Sequence, residues 1–229
     1  MKPARRDPGG LTALLAGASG LVGGECLQRL VAAAAYERVV VVTRRDLGER
    51  ARHPKVRQVI TGFDRLADEA SKLRADHVFC ALGTTIAKAG SKAKFREVDF
   101  EYPQRLARLL RGAGATHFSI VSALGASRTS PFFYSRVKGE VEQALRGMGW
   151  PSLAIFRPSV IAGERGESRP LERVSEHLLR FAPATWRPVA ATDIAAAMVA
   201  VALASPPGVT VVESRDIPAK ARGSTATSA

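Results

Sequence analysis

Short apolar runs alternate with longer amphipathic stretches along most of the chain. Thr12 to Ala16 reads as a buried strand, and the turn Gly17-Ala18-Ser19-Gly20-Leu21-Val22-Gly23 opens an amphipathic stretch that runs to about Ala35. Val39 to Val42, Val56 to Ile60 and His77 to Leu82 are further strand-like runs; Phe100 to Arg111 has helical periodicity. His117 to Ser122 predicts a fifth strand, Phe133 to Arg146 a helix, and Leu153 to Phe156 a sixth strand. Gly163 to Arg169 is charged, Leu171 to Phe181 looks helical, and Thr192 to Ala204 reads as an Ala-rich helix capped by Thr192, with Asp193 in its first turn. Pro206-Pro207-Gly208 stops that helix before a last strand, Val209 to Val212. This alternation predicts an α/β fold, a parallel sheet with helices on both faces. Residues 11–213 are expected to form a single domain, and 1–10 and 214–229 flexible termini.

Composition narrows the class. The 229 residues are 46% hydrophobic and 24% charged, ordinary for a globular domain, and no apolar run reaches the roughly 18 to 20 residues that span a bilayer. Met1 to Gly10 is basic and proline-containing, without the apolar core of a secretion signal, so a cytoplasmic protein is expected. Cys26 and Cys80 lack any CxxC partner and read as buried hydrophobes; the four scattered histidines offer no metal-binding pair. No metal is therefore expected. The 34 Lys and Arg against 21 Asp and Glu give a net charge of +13. Such an excess suits a nucleic acid, a membrane surface or a phosphate-rich ligand, but the basic residues are dispersed and not interleaved with aromatics, which favours a solvated basic surface over a specific nucleic-acid site.

Gly17, Gly20 and Gly23 stand between a strand and a helix, where glycines permit a sharp turn, close approach of a pyrophosphate and tight helix packing. The helix N-terminus then faces the anion, and Ser19 adds a hydroxyl. A site specific for NAD places an acid at the end of the second strand; here the strand ends in Thr43-Arg44-Arg45. Guanidinium groups suit a 2'-phosphate, so NADP(H) is the expected cofactor. Asp46 is close enough in sequence to pair with Arg45.

Ser122 ends the fifth strand, and Tyr134 and Lys138 form Y-x-x-x-K, one helical turn apart. A lysine ammonium beside a tyrosine hydroxyl favours the phenolate, so the phenol can pass a proton to a carbonyl receiving hydride or take one from an alcohol losing it, while Ser122 holds the oxygen. Together with Phe79 to Thr85, Lys88-Ala89-Gly90, Val98-Asp99, Val137 to Glu142, Phe156 to Val160 and Glu167 to Pro170, this set resembles the short-chain dehydrogenase/reductase superfamily, and within it the atypical Tat-interacting-protein-like oxidoreductases. The resemblance implies a Rossmann-type fold, a doubly wound parallel sheet in a three-layer α/β/α sandwich with a small C-terminal segment on the substrate side, and a catalytic set of Ser122, Tyr134 and Lys138, with Lys138 also bonding the nicotinamide ribose. It implies a cofactor-binding set of Gly17, Ser19, Gly20, Leu21, Val22, Arg44, Arg45, Phe63, Ala81, Leu82, Gly83, Lys138, Pro158 and Val160. Two positions depart from the pattern: Gly62-Phe63-Asp64 stands where the group commonly has Asp-Phe, and Asp99 corresponds to the superfamily's usual helix asparagine.

The expected activity is NADP(H)-dependent hydride transfer on a small carbonyl or alcohol substrate by a monomer or homodimer. A non-catalytic NADP-binding sensor that engages a protein partner is the alternative, and a sugar-nucleotide epimerase or dehydratase the third reading. Arg157 and Arg169 suit either an anionic substrate or structural pairing, and Trp150 and Trp186 read as packing residues.

Overall fold

The computed structural model describes residues 10–162 and 187–223. In chain order the elements are β1 (Leu11–Ala16), α1 (Leu21–Ala32), β2 (Tyr36–Thr43), β3 (Val56–Ile60), β4 (His77–Cys80), α2 (Ile86–Ala89), α3 (Lys92–Arg96), α4 (Tyr102–Gly112), β5 (His117–Val121) and α5 (Phe133–Arg146). They continue with β6 (Ser152–Arg157), β7 (Ile161–Ala162), β8 (Val189–Ala190), α6 (Ala191–Ala204), β9 (Gly208–Glu213) and α7 (Ile217–Arg222). Seven strands form one sheet in the order β3-β2-β1-β4-β5-β6-β9, and every neighbouring pair is parallel. The expected fold class is the one found.

Parallel strands are covered on both faces, which is why they read as unbroken apolar runs. Leu15, Val39, Val41, Phe79 and Phe156 pack on one side with Cys26 and Leu30 of α1 and Met198 of α6. Leu14, Val40, Val42, Val78, Phe118 and Ile155 pack on the other with Leu106 and Leu110 of α4 and Val141 and Leu145 of α5. The strand order reverses between β1 and β4, and an open α/β sheet leaves its crevice at the carboxyl ends of the strands at that point.

The opposite end of the sheet carries a buried polar row. The Tyr36 hydroxyl lies 2.8 Å from His77 Nδ1, and His117 sits between Ser152 Oγ at 2.8 Å and Ser119 Oγ at 2.7 Å. Burial, aided by the neighbouring His77, pushes the His117 pKa down to about 3, so the ring is neutral in the folded chain.

Several boundaries differ from expectation. Helix α1 ends at Ala32 rather than near Ala35. The helix expected from Phe100 begins earlier: α3 passes through a π-helical turn, Glu97–Glu101, into α4. Of α3 only Phe95 is buried, so its sequence carries little periodicity. Thr192 is not a cap; it lies inside α6, whose N-cap is Ala190 with no side-chain bond, while Asp193 does occupy the first turn. The segment after Ser214, expected to be flexible, forms a 3-10 turn, Ser214–Asp216, and then α7, anchored by the fully buried Ile217 and by Ala221. Two apolar positions one turn apart are too few to register as a helical pattern. The stretches 163–169 and 171–181 lie outside the described residues.

Candidate active site and cofactor cleft

A cleft of about 300 Å³ opens at the carboxyl end of the sheet. Its walls are Gly17 to Gly20 after β1, Val42 to Arg44 at the end of β2, Phe63 after β3, and Ala81 to Thr84 after β4, with Lys88, Ala89, Lys94 and Val98 closing one side. The glycine turn builds the floor. Gly17 has φ +95°, and a Cβ there would come within 2.5 Å of the Ala81 carbonyl oxygen; a Cβ on Gly23 would collide with the Gly17 carbonyl. Gly20, the N-cap of α1, makes no side-chain cap bond, and the first turn of α1 holds no acid. The positive end of a 12-residue helix is therefore left to whatever occupies the cleft.

The lining includes three cations, Arg44, Lys88 and Lys94, and no acid, with Lys94 also paired to Glu97 at 2.6 Å. This donor set, set on a glycine floor, fits a dinucleotide with its phosphates. Of the residues expected to bind cofactor, Gly17, Ser19, Gly20, Arg44, Phe63, Ala81, Leu82 and Gly83 line the cleft. Phe63 is buried and stacks on Tyr102 with ring centroids 5.0 Å apart, while Asp64 is exposed and outside the lining. Leu21 and Val22 turn their side chains toward the core, so only their backbone belongs to the helix end. Arg45, Lys138, Pro158 and Val160 lie outside the lining. Nor does Asp46 pair with Arg45: its carboxylate accepts from Gly48 N at 2.9 Å and Gln58 Nε2 at 2.8 Å, bonds that lower its pKa. Thr84 and Lys88 fall in stretches that carry the resemblance but were given no role there, and Lys94 went unmarked because an exposed lysine on a short helix carries no pattern.

Tyr134 and Lys138 stand on the first two turns of α5. The Tyr134 ring is 40% exposed and sits 5.6 Å from Phe95, and its hydroxyl has no hydrogen-bond partner among the described residues. Lys138 is buried; its ammonium lies 2.7 Å from Asp99 Oδ1 and 3.4 Å from the Val121 carbonyl. Asp99 comes from the π-helical turn, and its other oxygen accepts from Thr84 N at 2.9 Å. A Cβ on Gly83 would fall 3.6 Å from Asp99 Oδ1 and 3.9 Å from Lys138 Nζ, so the pair lies directly behind the cleft wall. Burial pulls the Lys138 pKa down, but Asp99 and then Tyr134 outweigh it and hold it above the usual lysine value.

The Ser122 hydroxyl, expected to hold the substrate oxygen, is buried and donates to Glu142 Oε1 at 2.6 Å. Glu142 in turn accepts from Arg157 at 2.9 and 2.5 Å, and Arg157 reaches Glu213 at 3.0 Å. Arg157 is thus a structural cation, tying α5 to the ends of β5, β6 and β9.

Residues 13–182 match the NAD dependent epimerase/dehydratase family. The chain belongs to that family. Among its relatives, Protein HTATIP2 of Rattus norvegicus is 35% identical over 172 residues, 74% of this chain and 71% of that protein. Protein fmp52, mitochondrial, of Aspergillus clavatus is 35% identical over 173 residues, 73% of this chain and 74% of that protein. These names accord with the resemblance to the Tat-interacting-protein-like group. The fold is similar to that of MoeE5 in complex with UDP-glucose and NAD, with a TM-score of 0.69 at 17% identity over 88% of this chain and 75% of the other. It is also similar to a putative epimerase from Burkholderia cenocepacia, with a TM-score of 0.64 at 20% identity over 97% and 82% of the two chains. Members of this epimerase/dehydratase family share an NAD(P)-binding fold, and no helix among the described residues is long and apolar enough to cross a membrane.

Proposed function

We propose that this chain is an NADP(H)-dependent oxidoreductase that moves hydride between a nicotinamide and a small carbonyl or alcohol substrate, with Tyr134 as acid/base. The observation that carries the reading is the exposed Tyr134, whose hydroxyl has no hydrogen-bond partner among the described residues, one helical turn from the buried Lys138 on the helix beside a glycine cleft lined by no acid among the described residues.

The bound cofactor supplies or accepts the hydride. The α1 N-terminus and the glycine turn bind its pyrophosphate, and Arg44 at the end of β2 takes the 2'-phosphate that distinguishes NADP from NAD. Lys138, held behind Gly83, offers its remaining N–H to a ribose hydroxyl and its charge to the phenolate of Tyr134. Tyr134 gives its proton to the carbonyl oxygen during reduction and regains it from solvent through its exposed side. Ser122 serves this step from behind, by bonding Glu142 two turns beyond Tyr134 on α5.

A sugar-nucleotide epimerase is the second reading, favoured by the family match and by structural neighbours such as MoeE5, solved with UDP-glucose and NAD. The two readings separate on cofactor balance: an oxidoreductase consumes NADPH in step with substrate, whereas an epimerase returns the hydride and leaves the cofactor spectrum unchanged. The test is a panel of aldehydes, ketones, quinones and nucleotide sugars with NADPH and NADH, followed by both absorbance and product analysis. The cytoplasmic expectation rests on the sequence alone, and the fungal relatives' names make the mitochondrial compartment its rival, decided by fractionation of the source cells.

A further inference from the structure

A lysine stripped of water gives up its proton readily, because burial penalises the ammonium and spares the amine. Lys138 is such a lysine, 4% exposed in the middle of α5. The groups that face it are few: the Asp99 carboxylate from the π-helical turn, the Val121 carbonyl from β5, the Tyr134 phenol from its own helix and the Cys80 thiol at the end of β4. Cys80 is itself fully buried, and burial pushes its pKa up to about 12, so it stays neutral. The other carboxylates on α5 are engaged elsewhere, Glu140 with Arg96 and Glu142 with Ser122 and Arg157. Asp99 is therefore the one anion against this cation among the described residues.

The carboxylate is also fixed by the cleft itself. Its second oxygen accepts from the Thr84 backbone N–H, and Gly83 passes over both charged groups with no side chain between them and the cleft. A π-helical turn admits one extra residue into a helix and re-aims the side chain that follows. Here that turn carries Asp99, 1% exposed, inward against α5.

We propose that Asp99 is a positioning residue whose carboxylate keeps the buried Lys138 ammonium protonated and pinned behind Gly83, where it reaches Tyr134 and a ligand hydroxyl in the cleft. The functional consequence rests on the reading of Tyr134 and Lys138 given above; the charge pairing does not. Without Asp99, burial wins: Lys138 becomes an amine in the neutral-to-alkaline range, and the phenolate loses its counter-charge. A carboxylate at this position thus makes activity depend on a buried pair rather than on a lone lysine.

The test is a nitrogen-15 titration of labelled lysines in the whole chain, with the Lys138 signal identified by its loss in Lys138→Met. In the unsubstituted protein the Lys138 ammonium should outlast the exposed lysines as pH rises; in Asp99→Asn it should deprotonate before them. An unchanged Lys138 midpoint in Asp99→Asn would overturn the proposal. Thermal stability of the double variant covers the case in which Asp99→Asn does not fold. Asp99→Asn/Lys138→Met should have a higher Tm than Asp99→Asn, because no buried lysine is left without its carboxylate partner. A double variant no more stable than Asp99→Asn overturns the proposal as well, since a purely structural Asp99 would cost the same with or without the lysine. Neither measurement uses a substrate, so failure of the oxidoreductase reading is seen separately in the activity panel.

Discussion

Ser122 and Glu142 share a buried hydrogen bond of 2.6 Å, and through it the end of β5 is tied to α5, the helix that carries Tyr134 and Lys138. The serine hydroxyl donates to the protein's own carboxylate. Ser122→Ala should lower stability by about 1 to 3 kcal/mol, because Glu142 keeps its Arg157 partner but loses a donor. Per folded molecule, turnover should fall by less than about tenfold, compared with the larger factors that follow loss of a proton-transfer group. Urea unfolding together with kcat on the same preparation checks this; a large kcat loss at unchanged stability would return Ser122 to the substrate.

Arg44 lines the cleft at the end of β2, whereas Arg45 does not. Arg44→Ala should therefore weaken NADPH binding by roughly 1.5 to 3 kcal/mol and leave NADH nearly untouched, while Arg45→Ala should change neither much. Calorimetric titration with both cofactors decides it. An equal loss of both cofactors in Arg44→Ala, or an unsubstituted protein that prefers NADH, contradicts the 2'-phosphate assignment.

His117 gives the fold a definite acid response. Its folded pKa is lowered to about 3 by burial and by His77, against 6.5 for the ordinary side chain. As pH falls below that ordinary value the unfolded chain takes up a proton that the folded chain refuses until about 3, so stability declines with falling pH across this window. The slope from this ring approaches about 1.4 kcal/mol per pH unit, one proton's worth. Unfolding free energies measured from about pH 6 to pH 4 should show it, and His117→Gln should reduce the slope by about one proton.

How much of this was legible in the sequence follows from how local each signal is. The glycine turn and the Tyr134–Lys138 spacing are short patterns whose geometry is set within one turn of chain, and they stand where the sequence put them. The strands were legible because burial on both faces writes them as continuous apolar runs, Val39 to Val42 above all. Asp99 and Lys138 lie on different elements, and their pairing exists only after α4 and α5 are laid side by side. The aim of Ser122 likewise depends on Glu142, two helical turns past Tyr134, and no spacing rule shows which way a strand-end hydroxyl turns. Lys88 and Lys94 became part of the cleft through the path of two short helices, α2 and α3, whose exposed faces carry no hydrophobic code.

The central claim is that Tyr134 moves the proton. With a carbonyl substrate taken from the panel, the rate of NADPH oxidation by Tyr134→Phe is compared with that of the unsubstituted protein, at saturating cofactor and with the NADPH Kd measured in parallel. Tyr134 is exposed and its hydroxyl makes no hydrogen bond among the described residues, so the fold and the NADPH Kd should be retained while kcat falls by about 100-fold or more. Full turnover by Tyr134→Phe would contradict the account.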